Sequence, residues 1–129
     1  MLTSTHWKAV MHLDPLWNRY AATWSLTADD RPAELAACLT DDVTYCDPQG
    51  LVPGRTALSD YMGRFQDAFP GTRFHIESVQ HHHGRTLASW SLRGAGDELF
   101  QRGTSYAVLA DDGRLSAITG FFEPPAELG

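Results

Sequence analysis

The sequence predicts an α+β fold, and three observations carry that expectation. Apolar residues recur at helical spacing over most of the first half of the chain. They recur at period two over the second half, and short Gly- and Asp-rich breaks separate the period-two runs. Helices first and then consecutive strands with short connections imply an antiparallel meander, not alternating α/β units.

Each element has its own signal. Asp14 is placed to cap a helix over residues 14–24, with Pro15 in the first turn, where its missing N–H costs nothing. Leu16, Tyr20 and Trp24 follow at i, i+4 and i+8 with Trp17 beside them, which builds one apolar face. Residues 4–13 fit either a separate turn or the front of one longer, kinked helix. A short second helix is expected over residues 32–39, capped by Asp30 and striped by Leu35, Ala36 and Leu39. Residues 42–46 read as a strand, because β-branched and aromatic residues suit a pleated surface. It ends at Asp47-Pro48-Gln49-Gly50, where proline withdraws a ladder donor and glycine permits a turn.

A third helix is expected over residues 56–69, with Leu58, Tyr61, Met62, Phe65 and Phe69 on one face, stopped by Pro70-Gly71. Strands follow at residues 73–81, 86–93, 99–109 and 115–122. They are broken at His83-Gly84, at residues 94–97 and at Asp111-Asp112-Gly113, the last a tight-hairpin signal. Residues 123–129 read as a loose end.

With 129 residues, the chain suits one domain that folds without disulfides or a structural metal. Its formal net charge of −6 argues against a nucleic-acid surface, which needs a basic stripe, and against docking on anionic lipid. No apolar run is long enough to span a membrane. Cys38 and Cys46 lack a C-x-x-C spacing, and the N-terminal residues lack a basic stretch followed by a long apolar one. Two free thiols in a reducing cytoplasm are the expectation. His81-His82-His83 cannot converge on one ion, because consecutive strand side chains point to opposite faces, so no metal is expected there.

Two stretches carry a resemblance. One is Leu39-Thr-Asp-Asp-Val-Thr-Tyr-Cys-Asp-Pro-Gln-Gly50, followed by Gly54-Arg-Thr-Ala-Leu58. The other is Gly103-Thr-Ser-Tyr106, then Asp112-Gly-Arg-Leu115 and Gly120-Phe-Phe122. With the order helix–helix–strand–helix–meander, the chain resembles the nuclear-transport-factor-2-like superfamily, and within it SnoaL-like polyketide cyclases and ketosteroid isomerases. The resemblance implies a cystatin-like α+β barrel: a curved antiparallel sheet wrapped around three helices as a cone, with an apolar cavity at its open end. It also implies a homodimer through the outer sheet face and a small apolar or cyclic organic ligand. One such scaffold hosts enzymes, binding proteins and adaptors.

The resemblance assigns roles to residues. Asp47 matches the general base of the isomerases, which moves a proton beside a carbonyl. Tyr20 resembles their phenolic oxyanion donor. Ser105 stands where the isomerases place a protonated aspartate. A hydroxyl donates more weakly than that acid, so cyclisation of an activated methylene compound suits these residues better than steroid isomerisation.

Trp17, Trp24, Phe65, Trp90 and Phe121 are candidate pocket walls, with Phe121 where the isomerases hold an aromatic over the substrate. His75 is a candidate pocket histidine. Each has a plainer reading: Asp47 as a turn cap, Tyr20 and the other aromatics as core, His75 as structural. No P-loop, H-E-x-x-H, G-x-S-x-G or dinucleotide fingerprint occurs, so no cofactor is implied. The alternatives are a binding or adaptor module without chemistry, and hydrolysis of a strained ring, which wants an Asp–Arg–Asp set that these residues do not assemble.

Overall fold

A computed structural model of the chain describes residues 4–123, with side chains from Asp14 onward. Of the expected loose end at 123–129, residues 124–129 lie outside the described residues. The elements are α1 (Ser4–Thr23), α2 (Arg31–Cys38), β1 (Leu39–Asp47), β2 (Gly50–Pro53), α3 (Arg55–Ala68), β3 (Arg73–His82), β4 (Arg85–Arg93), β5 (Leu99–Leu109) and β6 (Leu115–Phe122). No helix among the described residues is long and apolar enough to cross a membrane.

α1 takes the longer of the two forms the sequence left open. It begins at Ser4, so Asp14 does not cap it and Pro15 lies inside the helix. A proline there removes one backbone hydrogen bond, at a cost of about 3 kcal/mol that packing must offset. The buried face is Trp17, Tyr20, Ala21 and Trp24, at i, i+3, i+4 and i+7, while Leu16 is only partly buried. Asp30 occupies the N-cap of α2, but its side chain makes no capping bond. Instead the next residue, Arg31, is buried: its Nε–H donates to Ser59 Oγ at 2.9 Å and its Nη1–H to Leu26 O at 2.9 Å. A Cβ at Gly63 would sit 3.2 Å from that guanidinium, so the missing side chain lets α3 lie against it.

The sheet is six-stranded, curved and unclosed, in the order β2-β1-β6-β5-β4-β3. Four of its pairings are antiparallel, but β1 and β6 run parallel, with Tyr45 opposite Ile118. The meander thus returns its last strand to the first. β2 is the one unexpected strand: Pro48 and Gln49 form a two-residue loop, and Gly50 pairs back to Asp47. His83 and Gly84 both take positive φ, 51° and 75°, the requirement of a two-residue turn that follows the sheet twist. The histidine run ends in that turn, with His82 and His83 exposed.

The core lies between the helices and the concave face of the sheet. Trp17, Leu35, Leu39, Leu58, Met62, Leu115 and Ile118 are almost fully buried there. The Trp17 indole N–H donates to Thr86 Oγ1 at 3.0 Å, and Thr86 Oγ1 donates to Gln80 O at 2.9 Å. This chain of bonds ties α1 to β4 and β3.

Candidate functional site

The helices and sheet do not fill the space between them. A cavity of about 460 Å³ remains, within the usual range for small-molecule sites. Its wall is an aromatic cluster centred on Trp24, whose ring lies 5.4–6.1 Å from those of Tyr45, Tyr61, Phe65 and Phe74. Phe74 in turn meets Trp90 edge-on at 5.1 Å. Such edge-to-face pairs hold flat side chains in fixed orientations. Gly103, opposite Trp90 on β5, makes room for that indole, because a Cβ there would overlap the ring and the Phe121 carbonyl.

Asp47 sits at the end of β1 and lines the cavity. Its Oδ1 accepts from the Tyr61 hydroxyl at 2.8 Å and from the Gln49 backbone N–H at 2.8 Å. Its Oδ2 accepts from the Tyr45 hydroxyl at 2.6 Å. A carboxylate offers about four lone-pair positions. Three are engaged, so the carboxylate is held in one orientation with one acceptor direction left on Oδ2. The turn-cap reading and the cavity reading of Asp47 therefore coexist: the Gln49 bond caps the turn, and the same group faces the hollow.

Tyr20 lines the cavity from α1 and is 5% exposed, and its buried hydroxyl has no hydrogen-bond acceptor among the described residues, while the Trp24 indole N–H is near enough to donate weakly to it. Ser105 lines it from β5 and accepts from the Trp90 indole N–H at 3.0 Å, which leaves its own proton free to donate. Gly120 lies between these groups. A Cβ there would stand 3.6 Å from Asp47 Cβ, 3.6 Å from Ser105 Oγ and 3.8 Å from Tyr45 Oη. With no side chain at Gly120, all three open onto one space.

Trp17, Trp24, Phe65 and Trp90 also line the cavity, and two other candidates do not. His75 alternates along β3 with Phe74 and Ile76, which face inward, so the strand's period turns it to the other side, beside Asn18 and Ser25. Phe121 falls between Gly120 and Phe122, both of which line the cavity, and is 58% exposed on the outer face. Phe122 is the wall residue. Sequence reasoning missed the two phenols that hold Asp47. The i, i+2 spacing of Tyr45 and Asp47 was a usable signal, since it puts both on one face of a strand. Tyr61 had none, because its helical stripe looks the same whether it packs a core or lines a hollow.

The phenols share one electrostatic environment. Burial, above all, pushes Tyr61 up to about 12, and the hydrogen bond and negative charge of Asp47 add to that. Burial raises Tyr45 and Tyr20 beyond the normal phenol range, with the Asp47 charge adding to both. An unfolded phenol titrates near about 10. The folded chain therefore holds more protons than the unfolded chain above that pH. The contribution of Tyr61 to stability is complete below about pH 10 and is lost as pH rises to about 12. In an alkaline titration followed by tyrosinate absorbance and circular dichroism, Tyr20, Tyr45 and Tyr61 should ionise only as the fold is lost. Their ionisation near the normal phenol value, with the fold intact, would contradict this arrangement.

Comparison with known proteins places these features in a family context. A family model described as a SnoaL-like domain matches residues 17–118. A proposed isomerase of the SnoaL-like family from Agrobacterium tumefaciens is similar over 95% of this chain and 100% of that chain, with 21% identity and a TM-score of 0.79. A proposed ketosteroid isomerase from Kribbella flavida is 28% identical over 86% of this chain and 80% of that chain, with a TM-score of 0.60. A proposed SnoaL-like polyketide cyclase from Jannaschia is 15% identical over 84% and 83% of the two chains, with a TM-score of 0.69. No curated protein matches the chain.

Proposed function

The chain belongs to the SnoaL-like domain family, and from that premise we propose that it is an isomerase or cyclase acting on a small cyclic carbonyl compound by acid–base chemistry alone. One observation carries the reading: an oriented carboxylate, Asp47, and a buried phenol with no acceptor among the described residues, Tyr20, line the same aromatic cavity.

In the proposed reaction the free lone pair on Asp47 Oδ2 takes a proton from the carbon beside the carbonyl. The C–H electron pair becomes the enolate double bond, and the carbonyl π pair moves onto oxygen. Tyr20 donates its O–H to that oxygen, with Ser105 as a second donor. Because the Tyr20 hydroxyl has no acceptor among the described residues to give up, it stabilises the developing charge without reorganisation. The proton then returns to a different carbon, which isomerises the guest. In a guest with a second carbonyl, the enolate carbon instead attacks that carbonyl carbon and closes a ring. The π pair of the attacked carbonyl moves onto its oxygen, which takes back the proton held by Asp47 as the first carbonyl re-forms. Every group in this scheme belongs to the chain.

The test uses 2-tetralone, a bicyclic ketone, and its enol mimic 2-naphthol. In deuterated buffer the protein should accelerate exchange of the hydrogens beside the ketone, followed by proton NMR. Tyr20→Phe should slow that exchange by roughly 10²–10³-fold, the usual cost of losing one oxyanion donor. A second reading is favoured by the three donors already on Asp47: a binding module in which the carboxylate only braces the wall. It predicts that 2-naphthol binds and that no exchange exceeds the buffer rate.

A further inference from the structure

We propose that Arg64 selects the guest, and that the guest carries a carboxylate which this guanidinium pairs with at the cavity mouth. The inference rests on the cavity being a small-molecule site, and it adds the charge of the substrate class to that reading. Among the described residues lining the cavity only Asp47 and Arg64 are charged, and they are in opposite situations. Asp47 is engaged by three donors. Arg64 makes no hydrogen bond or ion pair with any described residue.

This is not for want of carboxylates. Asp60 and Asp67 stand one helical turn to either side of Arg64 on α3, and neither is within ion-pair distance of it. Arg19, Arg55, Arg93, Arg102 and Arg114 each meet a carboxylate in this acidic chain. Arg64 lies instead over the ring of Tyr61, 5.8 Å from its centroid. A cation on an aromatic face keeps its fork of N–H donors free at the edge.

Tyr61 links the two charged residues, since its hydroxyl bonds Asp47 and its ring carries Arg64. A flat guest lying along Tyr61, with its reacting carbonyl at Asp47 and Tyr20, would present its other end to Arg64. A planar guanidinium binds a carboxylate bidentately, and a singly charged group suits a cavity that already holds Asp47 better than a doubly charged phosphate does.

The experiment compares two fluorescent probes of one shape, 2-naphthol and 6-hydroxy-2-naphthoate, by titration at neutral pH and low salt. The carboxylate probe should bind wild type about tenfold more tightly, the lower end of what charge-assisted bonds give once a partly exposed site is screened. Arg64→Met should bring the ratio of the two affinities to within about twofold of one. Arg64→Lys should keep part of it, and added salt should erode it. Arg102→Gln, which removes an arginine outside the cavity, is the control for net charge and should leave the ratio as in wild type. Equal binding of both probes to wild type, or a preference that survives Arg64→Met, would overturn the assignment and leave the cavity reading intact. Failure of both probes to bind would remove the cavity reading, and this inference with it.

Discussion

Asp47→Asn is expected to slow deuterium exchange into 2-tetralone by about 10²–10⁴-fold, the usual contribution of a positioned general base, while 2-naphthol still binds. The substitution separates chemistry from structure because asparagine has the same shape. The amide oxygen can accept the Tyr61 hydroxyl and the Gln49 N–H as Oδ1 does now. The Tyr45 hydroxyl, which donates to Oδ2 at 2.6 Å, can turn and accept from the amide NH₂ instead. The hydrogen-bonding network therefore survives with its polarity partly reversed, and the stability cost should stay near about 1 kcal/mol. Only the basic lone pair is gone. Exchange at the wild-type rate in this variant would end the proposed mechanism. A variant that neither exchanges nor binds 2-naphthol would point to Asp47 as a brace of the wall.

Trp17→Ala should have the largest effect on stability, a loss of about 3–5 kcal/mol. The side chain is 1% exposed and packs edge-on to Tyr20 at a ring distance of 6.0 Å. Its removal opens a void that rigid neighbours cannot close, and it leaves Thr86 Oγ1 without its donor. Domains of this kind have a total stability of roughly 5–15 kcal/mol. The thermal midpoint should fall by roughly 10–20 °C. Trp17→Phe should keep most of the packing and lose the indole bond, and so fall between wild type and Trp17→Ala. A midpoint within a few degrees of wild type for Trp17→Ala would mean that α1 is not docked on the sheet through this residue.

The two variants probe features that were legible to different degrees. α3 and the last four strands could be read to within a residue or so of their ends, because their signals are local. The stripe from Leu58 to Phe65 and the alternation along β3 to β6 depend only on neighbours in the chain. The end of β1 at Asp47 could be read for the same reason, since Asp-Pro favours a turn, but only the family resemblance marked Asp47 as a candidate base. The start of α1 could not be placed, because Asp14-Pro15 has the form of a cap, yet the helix runs through it. Once a helix is packed, local preference no longer decides where it begins.

By itself the sequence determined the α+β class, the order of nearly all its elements, and a carboxylate and a phenol as the groups to look for. The class and the order of elements follow from spacing along the chain, whereas the carboxylate and the phenol were singled out by the family resemblance. Tertiary structure alone decided that β6 lies parallel to β1, so that Gly120 opens beside Asp47 and Ser105. It also decided that Phe122 and not Phe121 lines the hollow, that Tyr45 and Tyr61 clamp the carboxylate, and that Arg64 reaches the mouth unpaired. These are contacts between residues far apart in sequence. Their geometry is set by how curved elements pack around a cavity, and no local periodicity records it.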